Sequence, residues 1–162
     1  MLLRAFADER LRGKKVKLIV AGEFYSNAEM YERLESELQL AEHIVWFREF
    51  VPADKVRYLF AAANLVAQPY KTATQSGITQ IAYHFERPML VTNVGGLAEI
   101  VPHGKVGYVV EPDAKEIAEA LVDFVDHHTD ADFCAGILEE KGKYAWSNMT
   151  GALFDVADNS KR

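Results

Sequence analysis

The sequence predicts an α/β fold in which a parallel sheet carries helices on both faces. Two observations support this. Short apolar runs rich in β-branched residues alternate with helical stretches along the chain, and each run is followed by a glycine, a proline or a polar residue. Such runs are typical of strands buried on both sides. Strands that alternate with helices are joined by right-handed crossovers, which makes neighbouring strands parallel.

Each element follows from its local pattern. The apolar runs predict strands at residues 16–21, 43–47, 65–68, 88–92 and 107–110. Helical spacing predicts helices at 2–11, around Met30, Leu34 and Leu38, after Pro52, and at 78–85, 97–101, 114–125, 130–141 and 144–157. Ser26 or Asn27 is expected to cap the second helix. We expect one domain over residues 1–162, with its core in about 2–125 and C-terminal helices in about 130–157.

Composition narrows the function. The net charge of −6 argues against a nucleic-acid partner, because binding phosphates needs clustered Lys and Arg. The single cysteine, Cys134, rules out a disulfide within the chain and fits a reducing compartment. No pair of histidines has the spacing of a zinc-binding helix, so no metal is expected. No apolar run approaches the ~18 residues of a membrane span. We expect a cytoplasmic protein, with attachment to the inner membrane face left open.

The loop after the third strand is the most informative segment. Ligands of parallel α/β sheets bind beyond the carboxyl ends of the strands. There, Thr74, Gln75, Ser76 and Gly77 precede a predicted helix. Free backbone N–H groups and the helix dipole make such a helix start an anion site, and a glycine lets a phosphate approach closely. The alternative is an ordinary helix cap provided by Thr74 or Ser76.

A second candidate follows the fourth strand. The backbone of Gly95 and Gly96 is expected to line the ligand cleft; alternatively the two glycines form a tight turn that needs positive φ. Glu99, the one weak catalytic candidate, is interpreted as a residue that orients a neighbour. Phe50 is a candidate to flank a nucleobase, although such aromatic residues often simply pack.

Two common nucleotide motifs are missing from the sequence. Gly22 ends the first strand without the three spaced glycines of a dinucleotide fingerprint, and neither Gly-Lys pair belongs to a P-loop. Both observations argue against dinucleotide-dependent reductases and P-loop ATPases.

Three stretches together resemble glycosyltransferase family 4, the group 1 retaining enzymes. They are residues 17–22 (KLIVAG), 64–69 (NLVAQP) and 87–101 (RPMLVTNVGGLAEIV), the last followed by Gly104 and GYVV at 107–110. The resemblance covers about residues 2–125. It implies the C-terminal, donor-binding half of a GT-B enzyme, which is built from two Rossmann-like domains.

The resemblance also implies an activity and its partners. The full enzyme would transfer a hexosyl group from a nucleotide-sugar donor to a hydroxyl acceptor, with no cofactor and no metal. The donor cleft would be lined by Gly22, Phe50, Thr74, Gln75, Ser76, Gly77, Gln80, Gly95 and Gly96. Phosphate charge would be stabilised by backbone N–H groups, the helix dipole and Arg or Lys side chains.

Two departures from the family pattern are visible. Ala73 and Ile81 occupy the positions where the family usually has glutamates, so Gln75 or Gln80 would have to contact the sugar. The family's opening strand, with its Gly-Arg and Lys-Gly segments, and the N-terminal acceptor domain are not in this sequence. Without that strand, the first and third strands should pair directly, or another segment should fill the gap, and the unpaired edge should favour self-association. Two alternatives stay open: a non-catalytic binding module, and a nucleotide-sugar epimerase fragment.

Overall fold

The computed structural model describes residues 1–24, 28–144 and 146–159, and it confirms the α/β fold with parallel strands. Strands β1 (Leu18–Ala21) and β2 (Ile44–Phe47) form one pair, in which Leu18 lies opposite Ile44. A second sheet has the order β3 (Val66–Gln68), β4 (Met89–Thr92), β5 (Gly107–Val110). Both sheets are parallel, as the crossover rule predicts.

Helices connect the strands in the predicted order. They are α1 (Leu2–Phe6), α2 (Glu9–Arg12), α3 (Ala28–Glu37), α4 (Ala53–Ala62), α5 (Gly77–His84), α6 (Leu97–Ile100), α7 (Ala114–His127), α8 (Cys134–Lys143) and α9 (Trp146–Asn159). The expected cap at Ser26 or Asn27 lies outside the described residues. Among the helices described, none is both long and apolar enough to cross a membrane.

The start of the chain corrects one prediction. The helix expected over residues 2–11 is divided into α1 and α2 by Asp8, whose backbone is extended at φ −56 and ψ 134. The Asp8 side chain accepts a hydrogen bond from the Arg10 backbone N–H and thereby caps α2. Hydrogen bonds from the Arg10 side chain lower the pKa of Asp8 to about 2. An aspartate in a helical pattern can therefore end one helix and begin the next.

The C-terminal segment also differs from the predicted helix boundaries. The helix predicted over 130–141 begins as a 3-10 turn at Asp130–Phe133, and α8 continues from Cys134 to Lys143. The side chains of Thr129 and Asp132 form a capping box at that turn. Cys134, the first residue of α8, is half-buried.

Strand β4 lies at the centre of the core. Met89, Leu90 and Val91 are fully buried, and one hydrophobic cluster extends from Leu3 in α1 to Ile137 in α8. A strand flanked on both edges and covered on both faces is the most rigid part of such a sheet. The loops after β3 and β4 are therefore attached to a fixed support.

Helix α7 is fixed to β5 by a polar contact. The Tyr108 hydroxyl donates a hydrogen bond of 2.7 Å to Asp123 Oδ2, and this bond lowers the pKa of the Asp123 carboxyl. Burial raises the pKa of Tyr108, so the hydroxyl keeps its proton. The contact orients the C-terminal half of α7 against the sheet.

The pair β1–β2 departs from a sheet covered on both faces. Its strands do not hydrogen-bond to β3, so the direct pairing considered above does not occur. One face packs on α3, where Trp46 Nε1 donates to Glu35. The opposite face exposes Ile19 (39%), Val45 (40%) and Phe47 (48%). An apolar face beside an unpaired strand edge is a surface that favours association.

We expect the 162-residue chain to self-associate through this face. Val45→Lys should shift the protein towards monomer, because association through this face would bury the lysine charge, which is unfavourable. Substitution at a surface site changes stability by less than about 0.5 kcal/mol, so the melting temperature should hold. Sedimentation velocity over a concentration series measures the shift.

Leu138→Lys is the matched control, since Leu138 is also apolar and exposed (51%) but lies on α8. It should leave association unchanged. A parent chain that stays monomeric throughout the series would contradict the prediction.

Candidate functional site

A cavity of about 530 Å³ lies beyond the carboxyl end of β3. The loop from Tyr70 to Ser76 and the first turns of α5 line it, and it is widely open to solvent. Its lining residues are Tyr70, Thr72, Ala73, Thr74, Gln75, Ser76, Gly77, Ile78 and Ile81. The structure thus brings the four residues of the predicted anion loop together in one cavity, at the edge of the sheet where ligands are expected.

Helix α5 begins with hydrogen-bond donors directed out of the helix. Ser76 is the N-cap, and its side chain accepts from the Ile78 backbone N–H at 3.2 Å. The backbone N–H groups of Gln75, Ser76 and Gly77 have no acceptor within the part of the chain that the structure describes. The cap and the anion site, posed above as alternatives, are compatible, because one side chain satisfies only one of the free donors.

Gly95 and Gly96 support this loop from the side. A β-carbon on Gly95 would lie 1.8 Å from the Ala73 carbonyl oxygen, and Gly95 has a φ of +54. The Gly96 N–H donates to the Thr74 carbonyl at 3.0 Å. The positive φ of Gly95 fits the tight-turn alternative, and the Gly96 N–H is already engaged. Neither glycine lines the cavity, and their place in a ligand cleft stays a prediction.

The other candidate residues lie apart from the cavity. Gln80 on α5 and Glu99 on α6 are exposed and do not line it. Gly22 follows β1, and Phe50, which is 71% exposed, follows β2; both belong to the β1–β2 pair. Among the described residues, these side chains do not form one contiguous group with the loop.

Five residues that line the cavity were absent from the candidates, namely Tyr70, Thr72, Ala73, Ile78 and Ile81. Ile81 lies on α5 about one turn after Gly77, so helical spacing alone could have identified it. Ala73 and Ile81 are the positions where the family pattern has glutamates, and both line the cavity. Tyr70 lines it because the loop curls back on itself, which spacing does not indicate.

The cavity carries no charged side chain among its lining residues. Its polar groups are hydroxyls, one amide and backbone N–H groups, while Ala73, Ile78 and Ile81 form an apolar wall. An anion bound here would be held by neutral donors and by the α5 dipole. A larger cavity of about 610 Å³ between α1, α2 and α7 contains none of the predicted site residues.

Sequence comparison matches the family described as "Glycosyl transferases group 1" over residues 1–127. A D-inositol 3-phosphate glycosyltransferase of Nocardioides is 30% identical over 171 residues, covering 96% of this chain and 37% of the relative. A GDP-mannose-dependent alpha-(1-6)-phosphatidylinositol monomannoside mannosyltransferase of Mycolicibacterium smegmatis is 33% identical over 134 residues. That alignment covers 77% of this chain and 34% of the relative. The chain thus spans well under half the length of these relatives.

Structure comparison supports the same fold. HepE of Anabaena, solved with UDP, matches with a TM-score of 0.83 at 17% identity, covering 98% of this chain and 44% of HepE. The C-terminal domain of the group 1 glycosyltransferase LpcC from Francisella tularensis matches with a TM-score of 0.72 at 15% identity. That match covers 86% of this chain and 73% of the LpcC domain.

We expect Gly95→Ala to reduce the free energy of unfolding by about 2 kcal/mol or more, because the new β-carbon meets Ala73 and the left-handed backbone is unfavourable. Urea denaturation measures this. Gly77→Ala is the control: its β-carbon would have nothing within 4 Å, so stability should be nearly unchanged. Equal stability of the two variants would show that the turn does not depend on the close contact.

Proposed function

Because the chain belongs to the group 1 glycosyltransferases, we propose that it binds the nucleoside diphosphate of a nucleotide-sugar donor at the loop Thr74–Gly77. The observation that carries the proposal is the cavity at the start of α5, with backbone donors of Gln75, Ser76 and Gly77 left unpaired beside it. The diphosphate is the negatively charged part of a nucleotide sugar, and backbone N–H groups at a helix start can hydrogen-bond to its oxygens.

The open space around Gly77 supports this placement. A β-carbon there would meet no atom within 4 Å, so the protein packs nothing against this position. A phosphate group can approach the helix start at that point without a side chain in the way. Gly95 differs, because the Ala73 carbonyl already fills the space beside it.

The names of similar proteins guide the choice of ligand. HepE was solved with UDP, and the M. smegmatis relative is GDP-mannose-dependent. We therefore propose UDP and GDP, with ADP as a third base, as the first probes for this chain. A ligand at free concentration L stabilises the folded state by RT ln(1 + L/Kd), so at equal concentration the tighter ligand raises the melting temperature more, and a thermal-shift screen ranks the bases.

For the intact enzyme we propose transfer of a hexosyl group to a hydroxyl acceptor with retention of anomeric configuration. The departing diphosphate would gain negative charge, and the helix dipole with the free N–H groups would stabilise it. The nucleotide sugar is a substrate, and the proposal involves neither a cofactor nor a metal.

A binding module without catalysis is the second candidate. The uncharged lining favours it, since Ala73 and Ile81 provide no carboxylate to contact ribose or sugar hydroxyls. Such a module would bind nucleoside diphosphate, and the intact polypeptide would transfer no sugar. Activity of the intact polypeptide with a hydroxyl acceptor distinguishes the two.

Gly77→Val should weaken nucleoside-diphosphate binding by about 2 kcal/mol, roughly thirtyfold, because a branched side chain would disturb two charge-assisted hydrogen bonds. Titration calorimetry with UDP or GDP measures the change. Circular dichroism checks that the variant is folded.

Glu99→Gln is the comparison variant, since Glu99 is exposed and does not line the cavity. Its effect should be the smaller one. If folded Gly77→Val binds as well as the parent, the phosphate site lies elsewhere and the proposal fails.

We also expect the 162-residue chain alone to transfer no sugar. Its cavity offers no charged side chain to stabilise a leaving diphosphate, and the chain spans 37% of the Nocardioides relative. The measurement is release of nucleoside diphosphate from a nucleotide sugar in the presence of acceptors. Sustained turnover by the purified chain would overturn the expectation.

A further inference from the structure

Two hydroxyl groups meet at the start of α5, one from each end of the cavity loop. Tyr70 Oη lies 3.1 Å from Ser76 Oγ, and both residues line the cavity. Ser76 Oγ also accepts a hydrogen bond from the Ile78 backbone N–H. Tyr70 lies six positions before Ser76, so the contact closes the loop into a ring.

The number of hydrogens in this pair matters. Each hydroxyl carries one hydrogen, and the bond between the two oxygens uses one of them. If Tyr70 donates, the Ser76 hydrogen is free; if Ser76 donates, the Tyr70 hydrogen is free. The bond from Ile78 uses only a lone pair of Ser76. In either arrangement the pair keeps one O–H that can donate to a ligand.

Tyr70 is held firmly in this position. Its backbone N–H donates to the Gln68 carbonyl at 2.9 Å, and its own carbonyl accepts from Thr92 Oγ1 at 2.6 Å. Thr92 is fully buried at the end of β4, and the Tyr70 ring remains partly exposed. The backbone of Tyr70 is therefore attached to the rigid part of the sheet, and its side chain lines the cavity.

Neutral donors are important here because the cavity lining has no charged side chain. Ala73, Ile78 and Ile81 supply only carbon to the wall, so hydrogen bonds must come from the remaining lining groups. A hydroxyl directed at a charged phosphate oxygen gives a shorter and stronger bond than a neutral pair.

We propose that Tyr70 is a donor-binding residue whose hydroxyl, paired with Ser76, gives one hydrogen bond to a phosphate oxygen of the nucleoside diphosphate. This inference rests on the proposed function, since it takes the same cavity as the donor site. It adds a side-chain hydroxyl donor to the backbone N–H groups that the proposed site offers to the phosphate.

The test compares Tyr70→Phe with the parent by titration calorimetry with UDP and GDP. Removal of the hydroxyl should weaken binding by about tenfold or more, the effect of one hydrogen bond to a charged group. The melting temperature of the ligand-free variant should match the parent. Tyr58→Phe is the matched control, because Tyr58 is an exposed tyrosine of α4 outside the cavity, and it should bind like the parent.

A double variant tests the pairing itself. Ser76→Ala removes the other hydroxyl, and Tyr70→Phe in that background should cause little further loss if the two act as one unit. Losses that multiply would show independent hydroxyls and overturn the paired arrangement. A lower melting temperature of ligand-free Tyr70→Phe would assign the residue a structural role and overturn the proposal.

Failure of this inference is distinguishable from failure of the proposed function. If the parent binds UDP or GDP and Tyr70→Phe binds equally well, only the role of Tyr70 is overturned. If the parent binds no nucleoside diphosphate, both proposals are overturned.

Discussion

The contact between two loops determines the shape of the candidate site. Strands β3 and β4 are neighbours in a parallel sheet, so the loops that follow them leave the same edge side by side. The turn at Gly95 then approaches the Ala73 carbonyl so closely that no side chain fits between them. With the hydrogen bond from Gly96 to Thr74, this contact sets the position from which α5 begins. The free N–H groups depend on that placement.

Local signals predicted the strands and the start of α5 well. A buried strand needs a short apolar run, and a helix start needs a capping side chain; both are visible within a few residues. The sequence could not show that Gly95 supports a loop twenty residues earlier, because such a contact depends on strand adjacency. For the same reason Tyr70 was not recognised, since its hydroxyl acts through Ser76 across the loop. The break at Asp8 was missed because aspartate also occurs in helical patterns.

The exposed β1–β2 face and the uncharged cavity are the two surfaces of the described residues that bear on binding. Ile19, Val45 and Phe47 remain accessible on one face of the β1–β2 pair, and the cavity provides donors without positive charge. A diphosphate usually requires cations as well as dipoles. Within the described residues, the structure supplies a helix dipole and unpaired backbone N–H groups at the start of α5, and no charged side chain lines the cavity beside them.

The backbone bonds that hold the loop between β3 and α5, from Thr92 to Tyr70 and from Gly96 to Thr74, have a thermodynamic consequence. A loop that is already ordered in the free protein loses its conformational entropy during folding, and a ligand that arrives later does not have to order it. Association with a nucleoside diphosphate would then need little rearrangement of the protein, so its rate would be set mainly by diffusion and orientation. Differences in affinity between ligands would appear mostly in how quickly each one dissociates.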